Sequence, residues 1–132
     1  MNKLEIIISS DINNIMMVER FIDGFSERFH VPDYLSARVN LSVIEAVNNA
    51  ILSGNKRDLN KNVTLIVSIE NNRLKVTISD EGDGFDFKNI PDPTLPDNLG
   101  KSAGRGLYLM KSLSDDIVFS NGGSTVTMFF NL

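Results

Sequence analysis

Hydrophobic positions in this chain switch between two periods, and the switches mark its elements. A short apolar run over 4–9 predicts a strand. Ile12, Ile15, Val18, Ile22, Phe25 and Phe29 then recur at helical spacing, with Ser10 or Asp11 placed to cap the start. Pro32 enforces a break. Asp33 is suited to cap a second helix, whose stripe of Val39, Val43, Ala46, Val47 and Ala50 runs to about Gly54. The period next falls to two. Val63, Leu65, Val67 and Ile69, then Leu74, Val76 and Ile78, predict an antiparallel pair joined through Asn71-Asn72, a residue type that tolerates the positive φ of a hairpin turn. Gly104-Arg105-Gly106 opens a short helix with Leu107, Leu109, Met110 and Leu113, and strands near 116–120 and 124–131 close the chain around an Asn121-Gly122-Gly123 turn.

Between 86 and 103 the pattern is lost, and Pro91, Pro93, Pro96 and Gly100 interrupt it. Long irregular stretches in compact domains often act as binding loops, so this one is read as a mobile lid. No repeat or linker divides the 132 residues, and one domain over 1–132 is expected. A net charge of -4 disfavours a general nucleic-acid surface and leaves no basic stripe for a membrane. The absence of cysteine removes disulfides, thiolate metal sites and cysteine nucleophiles together. With no apolar run of membrane-spanning length, a cytoplasmic location is expected.

Three polar groups interrupt this plan. Asp80 follows Leu74, Val76 and Ile78 on the same strand face, so a carboxylate is aimed where the core should be. Such a group must lose its charge or meet a donor, and a ligand amino group would serve. Gly82 and Gly84 strip side chains from the turn beside it, as one wall of a pocket requires. Glu45 and Asn49 lie one turn apart on the second helix, where a carboxylate can take a proton and an amide oxygen suits magnesium. The loop of 100–106 enters a helix whose N-terminal amides favour phosphate, with Lys101, Ser102 and Arg105 as further donors. Gly100-Lys101-Ser102 is not a P-loop, because Leu95 stands where the first glycine belongs. Neither glycine pair completes a dinucleotide fingerprint, and Gly82 excludes an EF-hand. His30, the one histidine, is read as a helix-end cation.

Glu45-Ala46-Val47-Asn48-Asn49-Ala50, Asp80-Glu81-Gly82-Asp83-Gly84-Phe85, Pro91-Asp92-Pro93-Thr94 and Gly104-Arg105-Gly106-Leu107-Tyr108-Leu109-Met110 occur in the order of the histidine-kinase-like ATPase superfamily. More narrowly, the chain resembles the bacterial anti-sigma factor serine kinases of partner-switching systems. The resemblance implies an α/β (α+β) two-layer sandwich of Bergerat type, a mixed, mostly antiparallel sheet covered on one face by helices. It implies ATP and magnesium as cofactors, Glu45 as general base, Asn49 as magnesium ligand and Asp80 as acceptor for the adenine amino group, supported by Gly82 and Gly84. Gly104, Arg105, Gly106 and Leu107 match the phosphate-side motif, and Thr125 matches a threonine near the nucleotide. Ser53 stands where a histidine is common. The implied partners are a sigma factor and an anti-anti-sigma antagonist of STAS type whose serine is phosphorylated, with a homodimer suggested. Set against a kinase are a nucleotide-binding interaction module with little transfer and a plain structural domain.

Overall fold

Among the described residues, alternate positions of five strands build one apolar surface, and three α-helices cover it. The computed structural model describes residues 3–85, 87–88 and 105–132. The 86–103 lid, apart from Phe87 and Lys88, lies outside the described residues, as does Gly104. The strands are β1 (Lys3–Ser9), β2 (Asn62–Glu70), β3 (Arg73–Ser79), β4 (Asp116–Ser120) and β5 (Thr125–Asn131). Their order is β1-β2-β3-β5-β4, and all four pairings are antiparallel. The mixed sheet expected from sequence therefore has no parallel pair among the described residues. β3 and β4 do run the same way, but β5 lies between them and is antiparallel to both.

Register carries the apolar face across the sheet. Ile6 stands opposite Leu65, Leu65 opposite Ile78, Ile78 opposite Val126 and Val126 opposite Phe119. On the other face are Glu5, Lys75, Thr77 and Thr127, none of them buried. The β2–β3 hairpin turns through Asn71 and Asn72 at φ of 52° and 61°, as their residue type allows.

Helices α1 (Ile15–Arg28), α2 (Asp33–Asn49) and α3 (Arg105–Leu113) supply the second layer. Val18, Ile22 and Phe25 of α1 and Leu35, Val39, Val43 and Val47 of α2 are buried against the sheet's apolar face. Two starts differ from expectation. Ile12 is exposed, in a 3₁₀ turn over Ile12–Asn14 that Asp11 caps by accepting from the Asn13 amide at 2.9 Å. Pro32, not Asp33, holds the N-cap position of α2, and its carbonyl accepts from Leu35 and Ser36 at 3.0 and 2.9 Å. A proline loses nothing where no amide partner exists, and Asp33 instead places its charge in the first turn, where the helix dipole favours it. After α2 the helix widens into a π turn over Ala50–Gly54, closed by the Asn55 amide on the Ala50 carbonyl at 2.8 Å. Among the described residues no helix is long and apolar enough to cross a membrane.

Candidate functional site

A pocket opens where the end of β3 meets the end of α2. Ala46, Asn49 and Ala50 line it from α2, Ile78 and Asp80 from β3, and Leu107 and Met110 from α3. Ser53 and Gly54 of the π turn, Gly84 and Phe85, and Phe119, Gly123, Ser124 and Val126 complete the wall. Sheet parity explains Asp80: Leu74, Val76 and Ile78 are buried, and Asp80 is the next side chain on that face.

Asp80 is held on three sides. Its amide donates to the Ser124 carbonyl at 2.9 Å, and Oδ1 accepts from the Gly82 amide at 2.8 Å. Gly54 faces the carboxylate so closely that a Cβ there would overlap it, 2.8 Å from Oδ1 and nearer to Oδ2. A Cβ on Gly82 would in turn overlap the Gly54 carbonyl. These two glycines let the helix end and the strand end meet around the acid. Burial raises the Asp80 pKa from its ordinary value of 3.8, against the lowering effects of the Gly82 amide and the Lys61 charge. Oδ2 accepts no protein hydrogen bond among the described residues. A half-buried carboxylate with an unused oxygen in a mainly apolar pocket is suited to a neutral donor such as an aromatic amine.

A second cluster adjoins the pocket through Asn49, which lines it. A Cβ built on Gly106 would lie 2.9 Å from Glu45 Oε2 and 3.2 Å from Asn49 Nδ2. Glu45, Asn49 and the first turn of α3 therefore converge on one point. α3 runs antiparallel to α2 there, and the far end is fixed by Arg38, whose Nε and Nη2 donate to the Leu113 carbonyl at 3.1 and 2.5 Å. An amide oxygen, a carboxylate and the first amides of a helix form a set that fits a phosphate chain with a hard cation. No cluster of three His, Asp or Glu side chains suited to a metal exists among the described residues, so a cation here would depend on the ligand's own oxygens.

Of the residues singled out in the sequence, Asn49, Asp80 and Gly84 line the pocket, Glu45 and Gly106 meet at Asn49 beside it, and Gly82 donates to Asp80. Leu107 is buried in the pocket wall. Arg105 is exposed at the start of α3. Thr125 does not line the pocket; its hydroxyl contacts Ser79 at 3.1 Å and accepts from Asn121 at 3.1 Å on the opposite face of the sheet. Ser124, one residue earlier, occupies the wall. Strand parity could have found this, since Val126, Met128 and Phe130 define the inner face and Thr125 falls between their positions.

Two further groups carry no motif. Phe119 lines the pocket from β4, with Phe87 stacked on it at 5.0 Å and Phe85 edge-on at 5.8 Å. Asn55 is only 1% exposed behind Gly54, and its side chain is bonded to three segments.

This arrangement of a β3 acid, an α2 carboxylate-amide pair and a glycine-led helix defines a nucleotide-binding α+β domain. The model of the histidine kinase-like ATPase domain matches residues 8–130, and the chain belongs to that family. Among its relatives, the serine-protein kinase RsbW of Bacillus subtilis is 36% identical over 99 residues, which take in 68% of this chain and 61% of that protein. The serine-protein kinase RsbW of Bacillus cereus is 27% identical over 135 residues, taking in 96% of this chain and 82% of that protein. The match to the first relative thus spans about three-fifths of its length. A solved structure of the RsbU and RsbW domains of a Mycobacterium tuberculosis protein superposes with a TM-score of 0.71 at 17% identity, covering 100% of this chain and 33% of that one. At that identity the likeness bears on the fold alone.

Proposed function

We propose that this chain is an ATP-dependent protein-serine kinase that also holds a sigma factor inactive in a partner-switching system. The observation that carries the proposal is the convergence of Glu45 and Asn49 on Gly106, with Asn49 and Asp80 lining the same pocket. Asp80 accepts from the adenine amino group, while Ile78, Val126 and the Phe119 ring enclose the base. Asn49 would supply an oxygen to a bound magnesium ion, whose charge would offset that of the phosphates. The first amides of α3 hold the phosphate oxygens. Glu45 takes the proton from the hydroxyl of a serine on an antagonist protein. A new bond forms from that serine oxygen to the terminal phosphorus, and the bond from phosphorus to the ADP oxygen breaks. Positioning and charge neutralisation supply most of the acceleration in such a transfer. The names of the relatives support the kinase assignment, and the anti-sigma role rests on the resemblance of the sequence motifs. A homodimer working in the cytoplasm completes the proposal.

Ser53 in the pocket wall favours one second reading, an ATP-gated binding module with slow transfer, because a side chain without a cationic form stands where the family commonly has histidine. Both readings require ATP binding through Asp80. Magnesium-ATP should raise the melting temperature of the parent protein. In calorimetric titration Asp80→Ala should weaken ATP by about tenfold or more, the cost of losing a hydrogen bond to a charged group. Equal ATP affinity in parent and variant would refute the site.

A further inference from the structure

Asn55 is almost fully buried, yet every polar atom of its side chain is used. Nδ2 donates to Ser10 Oγ at 2.8 Å and to the Asn62 carbonyl at 2.9 Å, and Oδ1 accepts from the Glu81 amide at 2.8 Å. Ser10, itself 1% exposed, passes the chain on by donating to the Lys61 carbonyl at 2.6 Å. One amide therefore joins the end of β1, the start of β2 and the loop after β3. Glu81 is the residue directly after Asp80. Its carboxylate makes a second tie, accepting from the Asn62 amide.

Placement makes this more than a structural bond. Gly54 touches the Asp80 carboxylate from one side, and Asn55, the next residue, holds the backbone on the other side through Glu81. A carboxylate reads a base edge only if its oxygen is fixed to within a fraction of an ångström, and loops keep such precision only through supporting hydrogen bonds. Buried amides with all partners satisfied are rigid, and losing one leaves a desolvated donor that the loop must move to satisfy.

We propose that Asn55 is the positioning residue for nucleobase selectivity, acting through the Glu81 amide to fix the Asp80 carboxylate against the exocyclic amino group of the base. The proposal rests on the assignment of Asp80 to adenine, and its test separates the two. ATP and inosine triphosphate differ at the group Asp80 would read, one presenting an amino group and the other a carbonyl oxygen. Titration of both with magnesium should give a preference of about tenfold or more for ATP in the parent. Asp80→Asn should abolish that preference, and its persistence there would refute the adenine assignment itself. Asn55→Ser should lower the preference by about tenfold. Ser10→Ala removes one acceptor of Asn55 but leaves its bond to the Glu81 amide, so it should lower the melting temperature and lower the preference less than Asn55→Ser does. If Asp80→Asn loses the preference while Asn55→Ser keeps it, the Asn55 proposal alone falls. Hydrogen exchange on the parent protein needs no variant. The Glu81 amide should exchange at least about tenfold more slowly than the exposed Asp83 amide, and equal rates would overturn the proposal.

Discussion

Asp80 is more useful than it is stable. Folding raises its pKa, so the folded protein holds this proton more tightly than the unfolded chain. The stability that contributes is complete below the unfolded value of 3.8 and is lost as pH rises through the folded value. Above the folded pKa the charge is a cost, which a hydrogen-bond donor on a ligand would relieve. Asp80→Asn keeps an oxygen for the Gly82 amide and removes the charge. We expect it to melt higher than the parent at neutral pH, with the gap closing toward acidic pH, and melts across that range check this. A variant that melts lower at neutral pH would show that the carboxylate is not desolvated at a cost. Asp80 was legible in the sequence because strand parity survives from Leu74 onward. Parity also separates Ser124 from Thr125, whereas motif matching selected the threonine. Asn55 was not legible: a single asparagine after a glycine carries no periodicity, and its three partners lie 7, 26 and 45 residues away.

At the scale of elements, the antiparallel α2–α3 pair sets the distance between the Glu45 carboxylate, the Asn49 amide and the first turn of α3. One end is clamped by Arg38 on the Leu113 carbonyl, an arginine placed where a helix C-terminus favours a cation. The other end depends on a missing side chain. In Gly106→Ala the new Cβ would crowd Glu45 Oε2, the far end of a flexible side chain, so the chain can yield at little cost. Alanine also removes glycine's helix penalty, up to about 1 kcal/mol. The variant should therefore melt at or above the parent temperature while phosphoryl transfer falls at least about tenfold, because misplacing a catalytic group by an ångström is that expensive. A loss of stability matching the loss of transfer would mean that Gly106 serves the fold rather than the site. Both helices were legible from their stripes and breakers. The π turn was not, since nothing in Ala50–Gly54 distinguishes an extra residue per turn from an ordinary helix end.

Across the whole molecule, local patterns specified strands and helices but not which strands are neighbours. The hairpins of β2–β3 and β4–β5 follow from short turns, while the placement of β5 between β3 and β4 depends on contacts remote in sequence. That placement matters functionally. It brings Ser124 and Val126 beside Asp80 and sets Phe119 in the pocket wall, so the wall around Asp80 is built from three strands and the wall around Asn49 from two helices. A pocket with those two walls is common to a kinase and to a passive nucleotide sensor, and they differ only in whether a phosphoryl group reaches a protein serine. The decisive measurement gives γ-labelled magnesium-ATP to the native cell's proteins captured on this chain, with parent and Glu45→Gln in parallel and ATP binding verified for both. The expected result is a labelled serine on a small captured protein with the parent and at least about a hundredfold less label with Glu45→Gln, the usual scale for removing a general base. Equal labelling by parent and variant, or ATP binding with no labelled protein at all, would contradict it.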